Sequence, residues 1–472
     1  MKSLFKMMFV FVVALGMSAT TARAQNCEQA LGEAFLDVNN VRARILNNGS
    51  LFYRGEPHVY EVPKGSGSNA IFMSGVWIGG FVGNETSPRT AASTYGPWEF
   101  WAGPLDENGN PPADCGVFDR VFKVNKSDID NYEATGATTP AMLGWPTGLG
   151  APTIAPVGNG IDDDEDGEID EDGEQIKFDI AAPLASRVNR VIDLAGGERP
   201  AILGDQSIWW VMNDRGNTHE RSQSAPIGVE VHGMAFAFNQ AGAIGDMTFY
   251  KYNIFYKGSQ PLERAYLGIV SDPDLGDFAD DYVGSDSTLG LGYVYNADNE
   301  DISGEGYGTP PPAAGYDFFQ GPIIPSVGDT AQVSGRKIPD FKNLGMTTYA
   351  FYNNGGGVTG DPATAEDFYN YMDGRWRDGR QFTFGGNGRD EAGGGSTSPT
   401  RFMYSGDPAA NTGWTERNPD PFTGSVAPIS PGDRRFAMAT GPFTINPGDQ
   451  QEIIFGVVFA IGACLLYTSP SP

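Results

Sequence analysis

The chain is poor in the residues that most enzyme chemistry uses. It carries three histidines and three cysteines in 472 residues, and its 31 Lys and Arg are outnumbered by 59 Asp and Glu. Each shortage excludes something. His219-Glu220 opens an H-E-x-x-H zinc pattern, but residue 223 is Gln and the pattern fails. The chain has no G-x-S-x-G nucleophile elbow and no Lys-bearing phosphate loop. A formal net charge of −28 argues against nucleic acid and anionic membrane surfaces as partners. Beyond the N-terminus no apolar run reaches the roughly 20 residues of a membrane-spanning helix, so no membrane insertion is expected. No fixed-period repeat supports a solenoid or a propeller.

What is abundant points to strands and turns. The chain has 64 Gly and 33 Pro, with 12% aromatic residues. Runs such as Ile71 to Val82, Ser207 to Met212, Ile227 to Phe238, Met247 to Tyr256 and Glu452 to Ile461 are rich in Val, Ile, Phe, Tyr and Trp and are bounded by turn residues. Tyr250, Tyr252 and Ile254 alternate with Lys251 and Asn253, the pattern of a strand buried on one face. The expected fold is all-β: antiparallel β-sandwich domains with long Gly/Pro/Asp-rich loops and few short helices. Thr364 to Asp367 forms a capping-box pattern that opens one helix, and Ser127 to Ala134 suits another.

The two ends are set apart. Lys2 and Lys6, an apolar run from Met7 to Met17 and the Ala22-Arg23-Ala24 site read as a signal peptide over residues 1–24. Residues 464–472, CLLYTSPSP, are similar to a translated sequencing adapter and are expected to be an artefact. Loss of Lys2, Lys6 and Arg23 takes the net charge from −28 to −31. The remaining cysteines, Cys27 and Cys115, are expected to form one disulfide in an oxidising compartment. Between the ends, the expected organisation is an N-terminal β unit over 25–150, an acidic loop over 151–176, and a larger β-sandwich region over 177–463.

The acidic loop carries the clearest chemistry. Asp162, Asp164, Asp166, Gly167 and Asp170 spell D-x-D-x-D-G-x-x-D within NGIDDDEDGEIDEDGE. Alternating carboxylates wrap one hard cation, and the glycine permits the turn between them. Asp162, Asp164 and Asp166 would supply side-chain oxygens, Glu168 its carbonyl and Asp170 a carboxylate or a water. The loop resembles those of thrombospondin type 3 and dockerin modules. It departs from an EF-hand because Gly173 stands where the bidentate Glu belongs, so Glu171, Asp172 or Glu174 must complete the shell. The plain alternative is a solvated acidic linker. A second acidic loop, SDPDLGDFADDYVGSD, offers Asp272, Asp274, Asp277, Asp280 and Asp281 as calcium ligands, with ordinary turn chemistry as the equal alternative.

Two further readings stay open. Trp98, Trp101, Trp376 and Trp414 would suit stacking on a sugar ring, although large aromatics in β proteins more often fill cores. Trp209 and Trp210, adjacent on one strand, must point to opposite faces. His232 shares a strand face with Glu230, a pair capable of acid–base work but more commonly a satisfied core pair. A carboxylate pair for glycoside hydrolysis is also compatible, because 59 acidic residues offer many combinations.

Several landmarks in order, among them IFMSGVWIGG, FWAGPLDENG, GDQSIWWVMND, GVEVHGMAFAF and RRFAMATGPFTINPGDQQEIIFGVVFA, resemble a group of large secreted proteins of Bacteroidetes and neighbouring phyla. The resemblance runs from about Phe35 to Ala463. It implies a multidomain extracellular or outer-surface protein that uses type IX secretion, and it implies no chemistry. It also implies a cysteine where this chain has Ser285. The resulting expectation is a non-catalytic secreted or cell-surface protein with calcium-stabilised loops and a structural, adhesive or display role. A polysaccharide-capture protein and a secreted carboxylate-dependent hydrolase are the alternatives. Calcium is the expected cofactor, and extracellular polysaccharide or cell-surface components are the expected partners.

Overall fold

The structure, a computed structural model, describes residues 27–163, 173–389, 396–421 and 426–461. The signal-peptide and adapter-like segments lie outside the described residues. Two nine-stranded antiparallel sheets dominate the fold. The first runs in the order Glu33–Leu36, Arg42–Leu46, Ser50–Leu51, Met73–Val82, Leu262–Asp272, Arg434–Ile445 and Thr348–Asn353. Tyr60–Glu61 joins it beside Arg42–Leu46, and Arg89–Ala92 joins it beside Met73–Val82. The second runs Asp281–Asp286, Leu291–Asn296, Pro312–Gln320, Gln450–Ile461, Thr248–Tyr256, Val229–Ala237, Gln206–Asn213 and Trp101–Ala102, with Phe122–Asn125 also paired to Gln206–Asn213.

The sheets bury their facing sides against each other. Val76, Ile78, Leu267, Ile269, Phe436 and Met438 of the first sheet share one core with Ile208, Trp210, Tyr250, Tyr252, Phe455 and Val457 of the second. These side chains sit at alternate positions, as a pleated strand requires. Trp209 and Trp210 do point to opposite sides. Trp210 enters the central core, whereas Trp209 and Val211 join an outer cluster with Met142, Trp145, Leu149 and Phe236. That outer cluster is roofed by the excursion containing the helices Lys126–Thr135, Pro140–Leu143 and Leu184–Asn189. The second sheet is thereby covered on both faces over part of its width, which explains why every residue of Gln206–Asn213 is buried. Gly233 permits this packing, because a Cβ there would stand 2.2 Å from the Trp210 ring.

The fourth α-helix, Ala365–Met372, starts with the capping box read from the sequence. Thr364 accepts from the Asp367 N–H, and the Asp367 carboxylate accepts from the Thr364 N–H. Its buried Phe368, Tyr369 and Met372 pack on the outer side of the first sheet.

The expected division into a 25–150 unit and a separate 177–463 sandwich is corrected by the strand pairing. Met73–Val82 pairs along Leu262–Asp272 in the first sheet, and Phe122–Asn125 pairs along Gln206–Asn213 in the second. Both segments build the same two sheets and the same core. Cys27 and Cys115 form the disulfide, with Cα atoms 5.5 Å apart and Trp101 packed beside it. Among the described residues no helix is long and apolar enough to cross a membrane.

Candidate metal centre

The two central strands of the first sheet create the site at their shared end. Leu262–Asp272 ends where Arg434–Ile445 begins, and Ser271 lies opposite Phe436. Extending that antiparallel register places Asp272 opposite Arg435 and Asp274 opposite Asp433. Acidic residues far apart in sequence are thus brought together by pairing alone. One carboxylate oxygen from each of Asp272, Asp274 and Asp433 lies within 4.8 Å of the others. Two ligands on one calcium ion, each at about 2.3–2.6 Å, stand no farther apart than about 5 Å. The cluster therefore has the right dimensions for a shared ion.

The surroundings sharpen that fit. Asp272 Oδ2 accepts from Tyr95 Oη at 2.6 Å and from Arg435 Nη2 at 3.2 Å. Its other oxygen, Oδ1, is buried and has no hydrogen-bond partner, in a residue only 2% exposed. Arg435 also approaches Asp433 Oδ1 at 3.2 Å and Asp361 Oδ1 at 3.7 Å. Asn354 donates to Asp433 Oδ2 at 2.5 Å. One guanidinium thus faces four carboxylates, and the formal charge of the group is negative by more than one unit. A surplus of that kind around the buried Asp272 carboxylate is costly unless protons or a cation neutralise it. Burial pushes the Asp272 carboxyl up to about 7, with Arg435 opposing the rise. Burial followed by the neighbouring Asp272 and Asp433 pushes Asp274 up to about 8. A hard divalent cation with oxygen preference is the species that would displace those protons.

Asp277 and Asp281 of this loop hold its backbone turns instead. Asp277 caps a short 3₁₀ turn by accepting from the Ala279 N–H at 3.0 Å. Asp281 accepts from the Leu275 N–H at 3.0 Å. Burial pushes Asp280 up to about 6, aided by its acidic neighbours Asp301, Asp277 and Asp298 and opposed by Asn296. These three do not join the cluster of Asp272, Asp274 and Asp433. Asp433 was not among the expected ligands.

The first acidic loop is framed but incompletely described. Ala155 donates to the Glu174 carbonyl and Ile176 to the Thr153 carbonyl, each at 2.8 Å, which closes the stem. Asp163 N–H meets the Glu174 carboxylate across it. Asp162 belongs to the described stem, whereas Asp164, Asp166, Glu168 and Asp170 lie outside the described residues, as do Glu171 and Asp172.

The tryptophan reading needs correction. Trp101, Trp376 and Trp414 are each 1% exposed and cannot stack on a sugar. Trp376 and Trp414 donate their indole N–H groups inward to the Gly388 and Gly386 carbonyls, at 2.9 and 3.0 Å. Trp98 is half-buried and donates to the Thr94 carbonyl at 2.8 Å.

The histidines are engaged structurally. His232 Nε2 lies 2.8 Å from Glu230 Oε1, and Glu230 also takes Arg187 Nη2 at 2.5 Å and the Leu105 N–H at 2.8 Å. Burial works against the Glu230 charge, but His232 and Arg187 overcome it and hold the carboxyl down at about 2. This pair pins the helix Leu184–Asn189 to the second sheet. His219 places its two ring nitrogens 2.8 and 2.7 Å from the Thr90 and Asp214 carbonyls, beside buried Glu99. His58 sits on the Phe72 ring with Glu56 at 3.3 Å.

No protein-family model matches the chain, and no curated protein matches it.

Proposed function

We propose that this protein is a non-catalytic secreted or cell-surface β-sandwich component whose loop-bearing sheet end is fixed by calcium, with a structural, adhesive or display role. The observation that carries the reading is the acidic cluster of buried Asp272 with half-buried Asp274 and Asp433, whose charge Arg435 alone does not balance. Calcium there would tie the loop after Leu262–Asp272 to the start of Arg434–Ile445 and hold both in one geometry. Asp162, Asp164, Asp166, Glu168 and Asp170 would form a second calcium loop. The Cys27–Cys115 disulfide and the leader-like N-terminus support an extracellular setting and passage through a secretion route. The buried, internally bonded state of Glu230 and His232 favours a structural over a hydrolytic role for that pair.

The test is limited proteolysis of the folded protein in calcium and in chelator. The proposal predicts that chelation opens new cuts within 272–281 and near residue 165, and that restored calcium closes them. Identical cleavage patterns in both conditions would sink it.

A further inference from the structure

The sheet end that carries the acidic cluster has a third arm. Thr348–Asn353 pairs with Arg434–Ile445, and Asn353 lies opposite Arg434. The turn that follows, residues 354–361, therefore starts beside Asp433, although its own Asp361 is not a member of the cluster. Four of its eight residues are glycine, and Asn354 to Val358 are exposed. Glycine backbone with no side chains to pack opens readily. The turn hangs on two carboxylates. Asn354 Nδ2 donates to Asp433 Oδ2 at 2.5 Å. At the other end the Gly355 N–H donates to Asp361 Oδ2 at 3.0 Å, and the Asp361 N–H donates to the Gly355 carbonyl at 2.7 Å.

Arg435 links those two carboxylates. Among the described residues its guanidinium lies against three: Asp272 and Asp433, each at 3.2 Å, and Asp361 at 3.7 Å. Asp361 is the one of the three that stands outside the cluster. The contact of Arg435 Nη1 with Asp433 Oδ1 is not a hydrogen bond, because both atoms are buried and neither has a hydrogen-bond partner. It is the contact most easily given up. An ion that draws on Asp433 Oδ1 removes it, and a dication and a guanidinium repel each other. Asp361 is then the carboxylate left to Arg435. We propose that Asp361 is a positioning residue of the ion site: as a hard divalent cation enters, Arg435 passes from Asp433 to Asp361 and the turn 354–361 closes. This inference rests on the calcium reading and extends it to a loop that supplies no ligand. The ion then fixes three segments at this end instead of two, with Val358, 41% exposed, held on the outer surface.

The experiment is hydrogen exchange of the full chain, read by mass spectrometry across a calcium titration, on the wild type, Asp361→Asn and Asp361→Glu. Asp361→Asn keeps an oxygen for the Gly355 N–H, and the side chain is 26% exposed, so the fold is retained. Slowed exchange within 272–281 reports the ion at the cluster, and slowed exchange within 354–361 reports the turn. In the wild type both segments should slow with one midpoint. In Asp361→Asn the 272–281 amides should still slow, but at about tenfold higher calcium, while the turn stays fast. Asp361→Glu should move both back toward the wild type. A purely structural Asp361 would speed exchange of the turn equally with and without calcium and leave the 272–281 midpoint in place, which overturns the proposal. Slowing of 272–281 alone in the wild type overturns it and leaves the calcium reading standing. No calcium effect on either segment overturns both.

Discussion

On the proposed calcium reading, the acidic cluster makes the protein's stability depend on pH and calcium together. Asp272 and Asp274 are pushed from 3.8 up to about 7 and about 8 in the metal-free fold. The folded state therefore keeps protons that the unfolded chain has already released. The stability contribution of these groups is greatest below about pH 4 and falls as pH rises toward 7 and 8. Each retained proton gives a slope of about 1.4 kcal/mol per pH unit, so two give about 2.7 kcal/mol per unit. Calcium bound as proposed would replace the protons and remove this loss. At 100 times its dissociation constant it adds about 2.7 kcal/mol to the folded state. At low pH, protons compete with calcium and the gain shrinks. Urea unfolding at about pH 5 and about pH 8, with calcium or chelator, measures the difference. The wild type should show a calcium-dependent gap of about 3 kcal/mol at the higher pH and below about 1 kcal/mol at the lower. Asp274→Asn removes one titrating ligand, so it should stabilise the chelated protein at the higher pH and narrow the gap. A gap that is the same at both pH values, or that Asp274→Asn leaves intact, would refute the reasoning.

Other perturbations probe the rest of the architecture. Arg187→Ala strips the buried Glu230 of its guanidinium and should cost about 3–5 kcal/mol in denaturant unfolding, with new proteolysis around Leu184–Asn189. Because Glu230 is held down at about 2, its stabilising contribution is present above the usual carboxylate range and disappears as pH falls toward 2. Acid unfolding of a Glu230→Gln variant should lack that component. Trp414→Ala should destabilise by about 3–5 kcal/mol in the same assay. Reduction of Cys27–Cys115, which spans 88 residues, should lower stability by about 4–5 kcal/mol in the chain-entropy account, read as a shift of the urea midpoint.

Local pattern announced the local structure. Alternation in Thr248–Tyr256 gave its buried face, the adjacency of Trp209 and Trp210 required two cores, and Thr364 with Asp367 marked a helix start. Pairing partners were not legible, because a strand's own residues do not name its neighbour. That is why the early and late segments looked separable although Met73–Val82 lies against Leu262–Asp272. The same gap hid Asp433. It stands alone in a Pro- and Gly-rich stretch, and only the antiparallel register brings it to Asp274. The visible signal was Asp272-x-Asp274 at the end of a strongly apolar strand, which half of the site could supply. Residue type likewise failed to separate platform from core. Trp376 and Trp414, which looked available for sugar, are sealed by inward N–H bonds.

The most direct test of the calcium account is equilibrium dialysis with labelled calcium on the wild type and on the Asp274→Asn, Asp433→Asn double variant. The first acidic loop is unchanged in both, so the comparison isolates the strand-end cluster. The account predicts that the double variant stays folded and binds one calcium fewer per chain. Equal stoichiometry in the two proteins would contradict it.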